Sequence, residues 1–474
     1  MAGARNLISG NSADGINIFE GMGDVIQGNL IGTDSAGAKG LGNSGYGILV
    51  VNSSETIGGT TASAGNVISA NGILGQGSAG IGIIGDPRAL QTGNKIQGNL
   101  IGTDVTGTVP LGNMGSGIAA CDQVDTEIGG AAGGASNVIS SNAENGIAIG
   151  MAQQGRIGGT GFLVEGNVIG TDIIARLNLG NGLCGVFVDG ANVLEQIIRN
   201  VIAYNGTNGI CVPDKTINGG PPGVRITLLS NLIFSNAQLG IDLGPAGVNP
   251  ILSDQRLGAG HANDLQNFPV ISSAAVSAGN PPGARISTAD ASITISGVVP
   301  GALPNTTYML DFFLDGNCDS AQGHQSLGFI PVELGQVSFT TDSSGGGTFT
   351  FMFTIPSSTT SGGFVNGTAT DPLGNTSEFS LCTTVTGSLP ANPSISSVMR
   401  AGKNLVVVGQ NFDSGAVLLE NDIEQKTVAD PQNPTMSLIG QKLYKRISPG
   451  ATVTIQVKNS SGLLSNQVSY TRPG

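Results

Sequence analysis

Gly98-Asn99-Leu100-Ile101-Gly102-Thr103-Asp104 occurs twice more in this chain. It returns unchanged as Gly28-Asn29-Leu30-Ile31-Gly32-Thr33-Asp34, and with one substitution as Gly166-Asn167-Val168-Ile169-Gly170-Thr171-Asp172. Its centre, Asn-(Leu/Val)-Ile, begins at Asn6, Asn29, Asn66, Asn99, Asn137, Asn167, Asn200 and Asn231. A second word, Gly-apolar-x-apolar, follows each copy at Gly15, Gly47, Gly80, Gly117, Gly146, Gly185, Gly209 and Gly240; in Gly117-Ile118-Ala119-Ala120 the apolar residues are small. The two words lie 9, 18, 14, 18, 9, 18, 9 and 9 residues apart. An element recurring every 23 to 38 residues, with insertions confined to set places, marks a solenoid, where each repeat buries its apolar face against its neighbours.

A third apolar stretch recurs between the words, at Asp24-Val25-Ile26, Glu55-Thr56-Ile57, Lys95-Ile96, Glu127-Ile128 and Arg156-Ile157. Each repeat therefore holds three short strands separated by Gly, Asn and Asp turns. No stretch shows a helical stripe, so helices do not join these parallel strands. A right-handed parallel β-helix over residues 1–245, with about eight rungs of three strands, is the architecture left. The Ile of each Asn-x-Ile should point inward and stack on its equivalent one rung away. The Asn should sit at a bend, where left-handed backbone is tolerated and amides can bond up the column.

This pattern resembles the parallel β-helix repeat proteins common on bacterial surfaces. The Ile-Gly-Thr-Asp turns at Ile31, Ile101 and Ile169, and the Ile-Gly-Gly turns at Ile57, Ile128 and Ile157, carry the likeness. It implies the fold and leaves the activity open, because lyases, hydrolases, adhesins and fibres share that architecture.

Composition narrows the classes. Among 474 residues Gly counts 77, Trp is absent, charged residues make up 11% and the formal net charge is −13. A nucleic acid or an anionic membrane surface calls for a basic protein, so neither is expected as a partner. No apolar run reaches eighteen residues, so no membrane span is expected. The segment Met1-Ala2-Gly3-Ala4-Arg5-Asn6 aligns with the interior of a repeat, Ala62-Ser63-Ala64-Gly65-Asn66. The chain is therefore expected to start in mid-rung, as part of a longer secreted protein with its export signal upstream.

After Gly240-Ile241-Asp242-Leu243-Gly244 the repeat ceases. Residues 246–267 read as an exit or capping segment, and from Phe268 alternating strands replace the repeat, at 292–299, 307–314, 336–341 and 348–355. That spacing fits a β-sandwich over 268–388. The run Ala369-Thr370-Asp371-Pro372-Leu373-Gly374-Asn375-Thr376-Ser377-Glu378-Phe379 resembles the last hairpin of bacterial immunoglobulin-like repeats. Cys318 follows one strand and Cys382 ends another, so a disulfide between them is expected. A linker at 390–393 leads to a smaller sandwich, 389–474. There Leu405-Val406-Val407-Val408-Gly409-Gln410-Asn411-Phe412 and Ser465-Asn466-Gln467-Val468-Ser469-Tyr470 resemble the IPT/TIG type of immunoglobulin-like domain, which implies an extracellular spacer or binding module.

Chemistry-bearing residues are sparse. Asp34, Asp104 and Asp172 recur on the three long loops, and carboxylates that work as acid and base must lie within about 5 to 9.5 Å of each other. Loops two rungs apart stand near or beyond that limit, and Asp after Gly-Thr forms turns by itself. The loops 32–46, 102–116 and 170–184 are expected to project as a comb with slots between, meeting a ligand through Asp34, Tyr46, Asp104 and Asp172. Asp242, Asp254, Asn263 and Asp264 near the coil exit could hold Ca²⁺ through oxygen, though their spacing matches no defined loop and a plain capping segment is preferred. Cys121, Cys184 and Cys211 fall at different offsets within their repeats and read as small buried apolar residues. Together these features point to a secreted or cell-surface, non-catalytic structural or adhesive protein that binds extended polysaccharide or associates with itself, end to end. The alternative is a polysaccharide lyase or glycoside hydrolase with a groove along the coil.

Overall fold

The computed structural model describes residues 5–75, 77–85, 93–121, 125–150, 161–189, 195–215, 221–277, 292–319, 324–325, 330–355, 363–387, 393–460 and 464–474. The stretch Arg156-Ile157, the turn Ile157-Gly158-Gly159 and residues 390–392 of the linker lie outside them. The chain divides into two compact units. One comprises residues 1–272, 296–350 and 363–384; the other comprises 273–295, 351–362 and 385–474.

The first unit contains the coil. Its strands fall into three parallel sheets of eight, eight and seven strands, and each strand pairs with its equivalents one repeat away. On the first face Ile31, Ile68, Ile101, Ile139, Ile169 and Ile202 follow one another in register, all fully buried. On the second, Ile48, Ile81, Ile118, Ile147, Val186 and Ile210 do the same. On the third, Ile57, Ile96, Ile128, Val164 and Ile197 form the column. These residues make one apolar core along the axis. β-branched side chains suit it because they pack stiffly on a pleated surface. The Gly of the second word is dictated by the stacking: a Cβ on Gly117 would lie 2.6 Å from Ile139 Cγ2 and 2.7 Å from the Gly146 carbonyl oxygen.

Two asparagine ladders bind the corners. In the first, each Nδ2 donates to the next Oδ1 through Asn6, Asn29, Asn66, Asn99, Asn137, Asn167, Asn200 and Asn231, at 2.8 to 3.1 Å. The second, which the two repeated words do not spell out, runs through Asn11, Asn43, Asn71, Asn113, Asn142, Asn181, Asn205 and Asn236, at 2.7 to 3.1 Å. From Asn66 to Asn205 every ladder residue is almost wholly buried. Each of those amides is nonetheless satisfied, because Oδ1 also accepts the backbone N–H of the preceding Asn.

In the same unit, Thr307–Asp315 pairs antiparallel with Val332–Thr340 on one side and with Phe364–Thr370 on the other. Tyr308, Phe312, Phe339 and Phe349 fill the core beneath. Cys318 and Cys382 are joined. In the second unit, residues 394–471 form two four-stranded antiparallel sheets around Leu405, Val407, Leu418, Leu438, Ile455 and Val457, with one short helix, Leu443–Arg446.

Candidate functional site

The long loops do not form a comb. Within each, an antiparallel bridge folds the loop on itself, between Thr33 and Gly40, Thr103 and Pro110, and Thr171 and Asn178. Each then bends along the coil rather than away from it. The Val105 N–H donates to the Gly37 carbonyl at 2.9 Å, and the carbonyls of Leu111 and Leu179 accept from Ala70 and Ser141 of the short repeats between. The loop of one rung thus crosses its neighbour and reaches the next loop, so the expected slots are filled. A backbone N–H left unpaired at the coil's flank is costly, and this arrangement pairs it.

The three carboxylates serve these turns. Asp34 Oδ1 accepts from the N–H groups of Ala38 and Lys39 at 2.8 and 3.2 Å, and these, Ala38 first, hold its pKa below the ordinary range. Asp104 accepts from the Thr106 hydroxyl at 2.7 Å and from Val109 N–H at 3.1 Å. Burial would raise the pKa of Asp172, but the N–H groups of Leu177 and Arg176, both 2.6 Å from Oδ1, outweigh it and lower the pKa. Tyr46 packs its ring over Gly82 and donates to the Gly77 carbonyl; burial raises its pKa. The loops present aliphatic side chains outward beside exposed Ser35, Lys39, Thr106, Arg176 and Asn178. Ile173 is 56% exposed, Ile174 61%, Leu41 52% and Val109 49%, with Leu177 and Val105 beside them. The result is an aliphatic ridge, interrupted by these polar groups, along one flank of the coil.

The four residues considered for Ca²⁺ do not converge. Asp242 accepts from Asn208 Nδ2 and Gly247 N–H, and burial raises its pKa. Asp254 is locked to Arg256, whose side-chain hydrogen bonds lower its pKa to about 2. Asp264 accepts from Gly260 N–H. Among the described residues no three His, Cys, Asp or Glu are grouped to hold a metal. Asn263 instead serves the coil, for its Oδ1 accepts the Ile226 N–H at 2.9 Å and its Nδ2 donates to the Ile226 and Thr376 carbonyls. It occupies the place an eighth strand of the third sheet would take.

Side chains from later in the chain close the end of the coil on the third and second faces and at the corner before the first. On the third, Thr376 Oγ1 accepts the Leu228 N–H and Asn375 Oδ1 the Arg225 N–H. At the corner before the first face, Asp311 Oδ2 accepts the Ser230 N–H at 2.7 Å. On the second, Glu378 Oε1 accepts the Leu243 N–H, and the ring of Phe379 lies so close to Gly240 that a Cβ there would be 2.9 Å away. Beside this closure a groove of about 360 Å³ opens between Arg199, Ser230, Leu232, Pro331 and Glu333. Arg199 pairs with Glu165 at 2.6 Å.

One expectation about cysteine is overturned. Cys184 and Cys211 form a disulfide, with Cα atoms 6.2 Å apart. Different offsets along the repeat suggest no partnership, but neighbouring rungs lie close enough for a bond between unequal positions. Cys121 stays a buried thiol.

No protein-family profile matches the chain, and no curated protein sequence does. Among solved structures it is similar to the A-module of the mannuronan C-5 epimerase AlgE4 of Azotobacter vinelandii, at 12% identity and a TM-score of 0.19. The similarity covers 48% of this chain and 64% of that one, so the chain spans just under two thirds of the module's length. At that score the likeness carries no argument, and the fold rests on the strand register. No helix among the described residues is long and apolar enough to cross a membrane.

Proposed function

We propose that this is a non-catalytic structural or adhesive protein, secreted or on a cell surface, that associates with its own kind through the flank of the coil. The observation that carries the reading is the aliphatic ridge: Val105, Val109, Ile173, Ile174 and Leu177 stand exposed on loops that are otherwise hydrogen-bonded internally. Exposed apolar patches of this kind mark interaction surfaces. Two disulfides fit an oxidising compartment outside the cytosol. Binding of an extended polysaccharide is the second reading, favoured by the even recurrence of the loops, which repeat about every 10 Å. Carboxylates engaged by their own turns and a ridge without aromatic rings weaken it, because sugars are held by hydrogen bonds and stacking.

Light scattering against concentration tests the first reading. Association that disappears in Ile173→Asp/Ile174→Asp, with the melting curve retained, supports it; a monomer at all concentrations in the native protein refutes it. Release of reducing ends or of unsaturated sugars from a polysaccharide panel would replace both readings with the enzymatic one.

A further inference from the structure

Two acidic side chains meet where the coil is closed, and both hold a single residue. Ser230, the corner of the last rung, donates its N–H to Asp311 Oδ2 and its hydroxyl to Glu333 Oε1, each at 2.7 Å, while its oxygen accepts from Gln336 Nε2 at 2.8 Å. Asp311 is 1% exposed, and its Oδ1 has no hydrogen-bond donor. A carboxylate oxygen buried in this way without a donor is expensive, whereas a protonated one can donate to a neighbouring carboxylate. Glu333 is that neighbour, since it interacts directly with Asp311.

We propose that the antiparallel module is fastened to the last rung by a proton-dependent clasp, in which neutral Asp311 shares its proton with Glu333 while the pair grips Ser230. Burial first, and then the charge of Glu333, raise the pKa of Asp311 to about 8. Arg199 lines the same groove and is tied to Glu165. Glu378 is a second fastening. It accepts from Leu243 and Asn249, and burial, with a contribution from the charge of Asp242, raises its pKa to about 7. The third face is held by Asn263, Asn375 and Thr376, flanked by the Asp214–His261 pair, Asp264 and Asp371.

The direction of the effect follows from linkage. In the opened state these carboxyls meet water and return to a pKa of about 4. The closed state therefore binds protons that the open state releases. Its stability is fully present below about pH 4 and is lost as pH rises through 7 to 8, where it levels off. Between those limits the opening constant should rise about tenfold per pH unit for each proton released.

Hydrogen exchange of residues 225–244, corrected for intrinsic rate and referred to residues 96–101 in mid-coil, reads this opening. Between pH 5.5 and 8.5 the native protein should show at least a tenfold rise in opening at 225–244 relative to the reference. Asp311→Asn keeps an acceptor for Ser230 and offers Glu333 a permanent donor, so combined with Glu378→Gln it should abolish most of that rise. An unchanged ratio in the native protein, or an equal pH slope in the double variant, overturns the proposal. If the double variant does not fold, Glu333→Gln decides. Without the facing charge the rise should level off at a lower pH, and an unaltered profile would refute the clasp.

Discussion

At the last rung, Leu228, Ser230 and Leu243 each donate a backbone N–H to a side chain from beyond residue 300, and Phe379 lies on Gly240. At the first rung no described residue does the same: Leu7, Phe19, Val25 and Met22 are 49, 65, 59 and 90% exposed. No described residue donates to Oδ1 of Asn6 or Asn11. A coil of parallel strands has no natural end, because every rung relies on the next for hydrogen bonds and apolar cover. Polar side chains borrowed from far along the chain finish the last rung, and the edge at the first rung has none among the described residues. The ladders give that edge a polarity. Each amide donates towards the C-terminal end, so the first rung shows acceptors, and whatever covers it must bring donors. Two copies meeting first rung to first rung would set acceptor against acceptor. The last rung is already occupied.

The contrast between buried and open rungs can be broken most severely in the core. Ile101→Asp puts an unpaired charge at a fully buried site and should cost several kcal/mol, enough to unfold a coil of ordinary stability, whereas Ile8→Asp at the partly covered first rung should cost far less. Thermal melting of the two variants should differ widely; similar losses would mean that the first rung is covered after all. Next in size is the cap. Phe379→Ala removes a ring that packs edge-on against Phe313 at 5.6 Å and covers the last rung, for a loss of about 3 kcal/mol or more. Phe19→Ala, at the open end, should stay within about 0.5 kcal/mol. The smallest effect is expected in the ladders. Asn113→Ala leaves buried partners on both sides and should cost about 1 to 3 kcal/mol, and Asn11→Ala, with one partner and solvent access, less than half of that. Equal effects at the two positions would argue against a polarity in the ladder.

Much of the coil is legible in the sequence because its information is local and repeated. Asn-x-Ile fixes a corner and an inward side chain every rung, and eight copies leave little choice of register. The second ladder is equally legible in principle: Asn11, Asn43, Asn113, Asn142, Asn181, Asn205 and Asn236 each precede the Gly of the second word by four residues. Asn71 breaks the rule, standing nine before Gly80. The loops mislead through composition. Asp, Thr and Asn suggest a polar surface, but the turns consume the three Asp side chains, and Val, Ile and Leu stand exposed beside Lys39, Thr106, Arg176 and Asn178. The closure at the coil's end is invisible for a different reason. Asn263, Asp311, Asn375, Thr376 and Glu378 belong to no repeat, and their partners lie 37 to 150 positions away. No periodicity links them. The Cys184–Cys211 bond escapes a reading by equal offsets, because its two residues need only be near.

Amide exchange resolved along the coil tests the asymmetry most directly. At pH 6, strands of the last rung, Thr227–Leu229 and Ile241–Gly244, should be protected nearly as well as Ile118–Cys121 in the middle, while Leu7–Ile8 and Ile16–Phe19 should exchange at least a hundredfold faster. Equal protection at the two ends, or a last rung that exchanges as fast as the first, would contradict the account.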